Sequence, residues 1–181
     1  MKKLKLFSLA VGLLFVTSAG AQMKVGYISV DNMVALMPET AKIDSIIDRY
    51  QTDSLQPRYT YTLSEYLRKD SIVNGKDSAK TPAAVRAKIK EEMQNDVYEL
   101  QNWQAIVQQL TENKQNQLLG PIYREVFAAI QQVAKEKGYT HVFNKEAMLV
   151  APDGDDIIIH VAQKLKVKLP PQLQQGTTPK Q

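Results

Sequence analysis

The chain has no cysteine and only two histidines, His141 and His160, among its 181 residues. The absence of cysteine excludes disulfides, thiolate nucleophiles and cysteine-based metal sites. Two histidines in different predicted elements do not form a metal site by themselves. The sequence also lacks a glycine-rich phosphate loop and a serine within a catalytic motif. We therefore predict no catalytic centre, no metal site and no cofactor, and we expect a protein that is not an enzyme.

The first 21 residues have the organisation of a cleaved export signal. Three lysines precede an apolar run from Leu6 to Val16, and small residues follow, with Ala19 and Ala21 fitting the small-x-small rule of signal peptidase. We predict cleavage between Ala21 and Gln22. A membrane anchor is the alternative, but the apolar run is shorter than the roughly 20 residues that span a bilayer.

Acidic and basic residues nearly balance in the remaining chain. The whole sequence has 23 Lys and Arg against 19 Asp and Glu, and three of the lysines but none of the acidic residues precede the predicted cleavage site. The exported part therefore carries a net charge of about +1, which gives no support for nucleic-acid binding.

The N-terminal half of the exported part reads as one strand followed by helices. Lys24 to Val30 alternates in polarity and predicts a strand, and Asn32 to Met37 predicts a short helix. The spacing of apolar residues predicts a long helix from Pro38 to Leu67, kinked at Pro57 because proline removes a backbone donor. Arg68 to Pro82 is predicted as a turn region.

An apolar stripe with a mean step near the α-helical period of 3.6 residues follows that turn. Lys, Glu, Gln, Asn and Asp separate its members, so the stripe is narrow and suits a two-helix coiled coil better than a globular core helix. The helical pattern resumes at Leu118 and continues to Gly138, a predicted C-cap, with a kink or break expected at Gly120-Pro121. The members of the stripe are Val85, Ile89, Met93, Val97, Leu100, Trp103, Val107 and Leu110.

The C-terminal segment predicts a second, smaller β element and a last helix. Tyr139 to Phe143 and Met148 to Ala151 are β-like runs that indicate a hairpin. Asp155 or Asp156 is expected to cap an amphipathic helix that ends near Val167.

These elements predict a mainly α fold with a small β part, in which a long antiparallel helical hairpin projects from a small β body. Residues 22–37 and 120–169 form the expected body, and residues 38–119 form the expected arm, with its tip near 68–82. Residues 170–181 have little to bury and are predicted to be a disordered tail. Three strands are too few for a stable sheet with protected edges, so we expect the bodies to self-associate.

The element order and two segments of the sequence resemble the Skp family, also called the OmpH family of periplasmic chaperones. The segments are Lys24 to Met33 (Lys-Val-Gly-Tyr-Ile-Ser-Val-Asp-Asn-Met) and Lys135 to Asn144 (Lys-Glu-Lys-Gly-Tyr-Thr-His-Val-Phe-Asn). The resemblance implies a homotrimer whose strands form one body and whose helical arms surround a cavity. It also implies localisation in the periplasm and nucleotide-independent holding of unfolded outer-membrane proteins during their biogenesis.

Four aromatic residues of the arm are the predicted contacts for such clients: Tyr59, Tyr61, Tyr66 and Trp103. Their rings tolerate both water and an apolar partner. The alternative is that Tyr66 and Trp103 pack the two arm helices together, and we favour that alternative for Trp103 because it lies on the stripe. Tyr61 is the preferred client-facing residue.

Basic residues cluster at the predicted tip of the arm. Two acidic residues, Asp70 and Asp77, lie among seven basic ones. This positive tip could steer acidic clients or anionic lipid headgroups towards the arm, or it could simply keep a solvated tip soluble. The basic residues are Arg68, Lys69, Lys76, Lys80, Arg86, Lys88 and Lys90.

One other function class stays open on the sequence alone. A structural or adaptor protein of the cell envelope would use the same arm to bind one folded partner in a fixed ratio. A holding chaperone would instead bind many unfolded chains and no folded ones.

Overall fold

The computed structural model describes residues 23–76 and 78–174. The predicted export signal, its cleavage site at Ala21 and Gln22, and residues 175–181 lie outside the described residues. The chain divides into two compact units. The sheet unit comprises Met1–Val30 and Ala128–Gln181, and the helical unit comprises Asp31–Phe127. The expected boundaries between body and arm lay after residues 37 and 119.

The sheet unit contains two parallel strands. Strand β1 (Val25–Ile28) pairs with β2 (His141–Asn144) in a register that places Val25 beside His141 and Ile28 beside Asn144. Tyr27 also forms a bridge with Asp156, and its carbonyl oxygen accepts a hydrogen bond of 2.9 Å from the amide of Ile157. Strand β1 is therefore hydrogen-bonded on both edges.

The predicted hairpin is wrong. After β2, Lys145–Ala147 forms a 3₁₀ turn in which the amide of Met148 donates to the carbonyl of Lys145 at 3.0 Å. The chain then leaves the sheet, and Leu149 and Val150 are exposed instead of paired. Apolar, β-branched residues indicate that a strand is possible, but they do not specify which edge is free to pair with it. Here the bridge from Tyr27 to the chain near Asp156 occupies the edge of β1 opposite β2.

The core of the sheet unit packs closely around Gly26. A Cβ atom at this position would lie 3.0 Å from Ile157 Cγ2 and 3.0 Å from the ring of Tyr139. Ile157 and Val161 are fully buried. The absence of a side chain at Gly26 is therefore what lets the segment around Ile157 and the ring of Tyr139 approach β1.

The cap predicted at Gly138 is confirmed in this unit, whereas Ile157, and not Asp155 or Asp156, occupies the N-cap position of the last amphipathic helix. Gly138 has a φ of +72°, and the amide of Tyr139 donates to the carbonyl of Ala134 at 2.9 Å, which is the hydrogen bond that closes a helix in this way. The Oδ1 atom of Asp156 accepts a hydrogen bond of 2.9 Å from the amide of Ile158. Ile158 is the first residue of the last amphipathic helix, Ile158–Leu165.

His160, in that helix, is expected to make the sheet unit less stable in mild acid. Burial, together with the positive charges of Lys137 and Lys24, lowers the pKa of His160 below 6.5. The unfolded chain then binds a proton more readily than the folded one, so the free energy of unfolding falls as the pH drops through about 6.5. The fall should be less than about 1.4 kcal/mol per pH unit.

This dependence can be measured by urea unfolding at pH 7.5 and pH 5.5. His160→Gln should flatten the pH dependence, whereas His141→Gln, which changes an exposed histidine on β2, should leave it as in the wild type. If both substitutions flattened the pH dependence equally, His160 would not be its source.

The helical unit begins with short helices. Helix α1 (Val30–Ala35) starts at the last residue of the sheet unit, and a 3₁₀ turn (Thr40–Lys42) leads into α2 (Ile43–Tyr50). The next residues, Gln51–Leu55, form a wide π-type turn, and α3 follows at Gln56–Asn74. The structure therefore replaces the single predicted helix from Pro38 to Leu67 with several shorter elements.

Pro57 explains where the helix is interrupted. It lies in the first turn of α3, where a proline needs no backbone donor, and the π-type turn directly precedes it. Helix α3 then continues seven residues beyond Leu67, because no helix-breaking residue occurs before Gly75 and Val73 is buried. The predicted turn region from Arg68 to Pro82 is thus shortened at its start.

Helices α3 and α4 (Ala83–Gln101) pack antiparallel. Arg58 forms an ion pair of 2.7 Å with Glu99, and Lys69 forms one of 2.7 Å with Asp96. The α3 residues on the seam recur in steps of three and four, the spacing typical of a two-helix coiled coil. They are all buried or half-buried: Tyr59, Thr62, Tyr66, Lys69 and Val73.

Of the two alternatives predicted at Gly120-Pro121, a kink or a break, the break is wrong. Helix α5 (Trp103–Lys137) contains Pro121 and continues through it, and the interruption lies instead at Asn102, between α4 and α5. Proline removes one backbone hydrogen bond, and burial of Ile122 and Val126 on one face of α5 offsets that loss.

The interruption at Asn102 has a local cause. Both its backbone amide and its side-chain amide donate to the carbonyl of Tyr98, at 3.0 Å and 2.8 Å. The backbone bond is the ordinary helical one, whereas the side-chain bond competes for the same carbonyl. Such side-chain bonds are the reason that asparagine favours helix ends over helix interiors.

The last described residues correct the predicted tail. Pro171–Gln174 forms a short helix, numbered α7, after α6 (Ile158–Leu165). The remainder of the predicted tail, from residue 175 onward, lies outside the described residues.

Candidate functional site

The four predicted aromatic contacts do not form one site. The rings of Tyr59 on α3 and Trp103 at the start of α5 lie 5.3 Å apart. Trp103 therefore packs helices together, as the alternative interpretation favoured. Tyr66 is half-buried on the seam, whereas Tyr61 is 67% exposed. Only Tyr61 of the four presents most of its ring to solvent.

The helical pair exposes further apolar side chains that the sequence analysis missed. Leu67 is 56% exposed and Tyr98 is 68% exposed, and Leu63 is also exposed. Leu63 and Leu67 are one turn apart on α3, on the opposite flank of the seam from Tyr61. Tyr98 follows Val97 of the predicted stripe, and because adjacent helical residues point about 100° apart, this step takes it off the seam. We call Tyr61, Leu63, Leu67 and Tyr98 the apolar flanks.

A charged pair is built into the seam beside these flanks. The Lys69 Nζ atom lies 2.7 Å from Asp96 and 3.8 Å from Glu92, and the side chains of Lys69 and Asp96 are 13% and 17% exposed. The hydrogen bond from Lys69 to Asp96 raises the pKa of the lysine. A lysine within the seam favours one register of the two helices, because other alignments would separate its charge from Asp96.

We expect Asp96→Asn to lower the free energy of unfolding by about 1–2 kcal/mol, because the ammonium group of Lys69 would lose its short, mostly buried partner. Urea unfolding followed by circular dichroism measures this change. Glu65→Gln removes the ion pair with Arg68 on the exposed surface of α3 and is the matched control, with little change expected. Equal effects of the two substitutions would contradict a special role for the seam pair.

The basic residues of the predicted tip are less uniform than their sequence suggests. Arg68 pairs with Glu65 at 2.7 Å, and Lys69 is paired in the seam as described. Their acidic partners, Glu65 and Asp96, lie just before and just after the sequence segment that contains the seven basic residues. The other five basic residues of the predicted tip lie at this end of the helical pair, four of them exposed and Arg86 half-buried: Lys76, Lys80, Arg86, Lys88 and Lys90.

The sheet unit exposes a second set of apolar side chains. Phe143 on β2 is 48% exposed, and Val150, after the 3₁₀ turn, is 87% exposed. Leu149 between them is fully exposed. Apolar groups placed this openly on a small unit are typical of surfaces that are covered by another chain.

Other site types find no support in the part of the chain that the structure describes. Within those residues, no group of three or more His, Asp or Glu side chains is arranged to hold a metal ion. None of the helices within the same residues has the length and apolar character needed to cross a membrane.

Comparisons with known proteins give a family match that spans most of the chain. The model of the family described as "Outer membrane protein (OmpH-like)" matches residues 24–165. Among solved structures, the chain is similar to an OmpH-like protein of Caulobacter crescentus CB15 that is described as an outer membrane chaperone. The two are 20% identical, the match covers 82% of this chain and 87% of that chain, and the TM-score is 0.48. None of the curated proteins compared with the chain matches it.

Proposed function

The chain belongs to the OmpH-like family, and from that premise we propose that it is an ATP-independent holding chaperone of the bacterial periplasm. Its clients are unfolded outer-membrane proteins, which it keeps from aggregating. It acts as a homotrimer whose helical pairs surround a cavity, and its first 21 residues are removed on export.

The apolar flanks are the observation that carries this proposal. A holding chaperone must bind apolar segments at many points, each weakly enough to allow release. Burying one large side chain contributes about 1.5–3 kcal/mol, so a few partial contacts suffice without a deep pocket. Tyr61, Leu67 and Tyr98 are exposed on a helical pair whose seam already has its own apolar residues. They are therefore available to a client without unpacking the pair.

The exposed apolar side chains of the sheet unit support self-association. A two-stranded sheet is marginal by itself, and Phe143 lies on one of its two strands. Leu149 and Val150 would also be removed from water if sheet units of several copies packed together.

The basic residues at the end of the helical pair support a second, weaker interaction, with anionic groups. Lys76, Lys88 and Lys90 are exposed there, and such charges attract anionic lipid headgroups or acidic clients over long range. If vesicles containing phosphatidylglycerol bind equally well after all seven basic residues are neutralised, the lipid part of the proposal fails.

The proposal is tested with the exported chain, residues 22–181. Sedimentation equilibrium gives the molar mass, for which three times the protomer mass is expected. The same sample is then mixed with a urea-unfolded outer-membrane barrel and diluted without ATP, and light scattering reports aggregation. Suppression by the protein is expected, and unhindered aggregation at a stoichiometric excess of trimer would refute the holding function.

A second arm of this experiment separates the chaperone from an envelope adaptor. The folded barrel in detergent micelles replaces the unfolded one, and binding is followed by size-exclusion chromatography. We expect no complex with the folded barrel. A stable complex in a fixed ratio with a folded partner, and none with unfolded chains, would favour the adaptor.

A further inference from the structure

Two adjoining grooves lie on the α3–α4 pair near the turn that joins these helices. The first has a volume of about 370 Å³ and is mainly apolar. Val73 and Met93, which are 5% and 9% exposed, are its most buried residues, and Tyr66 and Val97 line it as half-buried residues. The groove is thus large enough for one big apolar side chain, and the helical pair does not fill it.

The second groove is basic. It has a volume of about 240 Å³, shares Val73 and Lys90 with the first groove, and is otherwise lined by Arg86 and two alanines. The Nε atom of Arg86 is buried, and among the described residues no group accepts a hydrogen bond from it. A buried donor without an acceptor is unfavourable. Because Arg86 and Lys90 both line this groove, an anion that enters it can pair with two positive charges.

The shared lining restricts what can occupy both grooves. Because Val73 and Lys90 belong to both, an apolar group in the first groove lies next to an anionic group in the second. The first groove also carries the side-chain amide of Gln94 and that of Asn74, whose Nδ2 atom already donates to Asp70 at 2.7 Å. Such amides can exchange hydrogen bonds with a peptide backbone, which the acyl chain of a lipid does not offer.

We call these two grooves together the tip groove. We propose that the tip groove binds an unfolded segment in which a large apolar residue is followed closely by an acidic side chain. This proposal rests on the proposed function, because it names the class of client segment that the helical pair selects. The apolar side chain enters between Tyr66 and Met93, and the carboxylate pairs with Arg86 and Lys90. The tip groove thereby adds sequence preference to the otherwise unselective apolar flanks.

The test uses residues 22–181 and a fluorescent twelve-residue peptide that contains Phe-Glu and Leu-Asp pairs. A second peptide carries Gln and Asn in place of Glu and Asp. Fluorescence anisotropy at physiological ionic strength should show about tenfold tighter binding of the acidic peptide. The double variant Arg86→Gln/Lys90→Gln should lose this preference and bind both peptides as the wild type binds the neutral one.

Lys42→Gln/Arg49→Gln is the matched control. It removes one lysine and one arginine, both exposed in the helical unit and outside the tip groove, so it changes the net charge equally. The preference for the acidic peptide should persist in this variant. Loss of the preference in both double variants would show that overall charge is responsible and would overturn the tip groove.

The outcomes separate this inference from the proposed function. If the wild type suppresses aggregation of the unfolded barrel but binds both peptides equally, the tip groove is wrong and the holding function stands. If it suppresses no aggregation, the proposed function fails, whatever the peptides do. If Arg86→Gln/Lys90→Gln loses binding to phosphatidylglycerol vesicles but keeps the peptide preference, the grooves serve a lipid and the peptide proposal is overturned.

Discussion

Replacing Gly26 by valine is expected to lower the free energy of unfolding of the sheet unit by about 3 kcal/mol, the upper part of the usual range for overpacking. Even a single Cβ atom at this position would lie 3.0 Å from Ile157 and from the ring of Tyr139, and the two methyl groups of valine would extend further. Ile157 is fully buried and bonded through its amide to Tyr27, so it has little freedom to withdraw.

The effect should extend beyond β1 itself. Strand β1 is bonded to β2 on one edge and to the chain near Asp156 on the other, so moving it disturbs both neighbours. If the sheet unit mediates self-association, as we propose, the variant should also sediment as a smaller species. Thermal unfolding by circular dichroism and sedimentation velocity measure the two consequences.

Gly154→Ala provides the control for this substitution. A Cβ atom at Gly154 would meet no atom within 4 Å, so the variant should unfold and sediment like the wild type. If Gly26→Val unfolds at the same temperature as Gly154→Ala, the close packing around Gly26 contributes nothing to stability.

Replacing all four apolar flanks by serine is expected to remove most of the ability to hold unfolded clients. If each side chain contributes about 1 kcal/mol of client contact, a modest part of its full burial energy, the four together account for a loss of more than 100-fold in affinity. The free energy of unfolding should change far less than the free energy of client binding, because none of the four residues lies on the seam. The variant carries Tyr61→Ser, Leu63→Ser, Leu67→Ser and Tyr98→Ser.

The measurement is the concentration of protein that halves the aggregation of an unfolded outer-membrane barrel. A control with four serines at exposed polar positions of α5 should halve aggregation at the same concentration as the wild type. This result would exclude a general effect of serine on helices. Wild-type activity of the flank variant, with an unchanged unfolding temperature, would place client binding elsewhere. The control positions are Asn113, Gln115, Asn116 and Gln117.

The sequence predicted those features that depend on neighbours within about one helical turn. The narrow stripe of apolar residues predicted the seam on α4, and the positions of Gly138 and Asp156 predicted a helix end and a helix start. It also predicted a mainly helical fold with a small β part, and the family resemblance is confirmed by the match over residues 24–165. The assignment of Trp103 to helix packing followed from its place on the stripe.

Features that depend on residues far apart in the chain were missed. The parallel pairing of β1 with β2 joins residues more than 110 positions apart, and the local β pattern around Leu149 suggested a hairpin instead. The sequence also counted Lys69 as part of a positive tip, because its partner Asp96 lies 27 residues away. Tyr98 was overlooked since its exposure depends on how α3 covers α4.

The amino-acid sequence by itself determined which segments are helical, where several of them end, and which face of α4 is apolar, because backbone hydrogen bonds and helical periodicity act between residues three or four apart. Tertiary structure alone decided the strand partners, the neutralisation of Lys69 and the exposure of the flanks. It also decided that α5 passes through Pro121. These outcomes depend on free energies of burial and charge pairing that exist only after distant segments have come together.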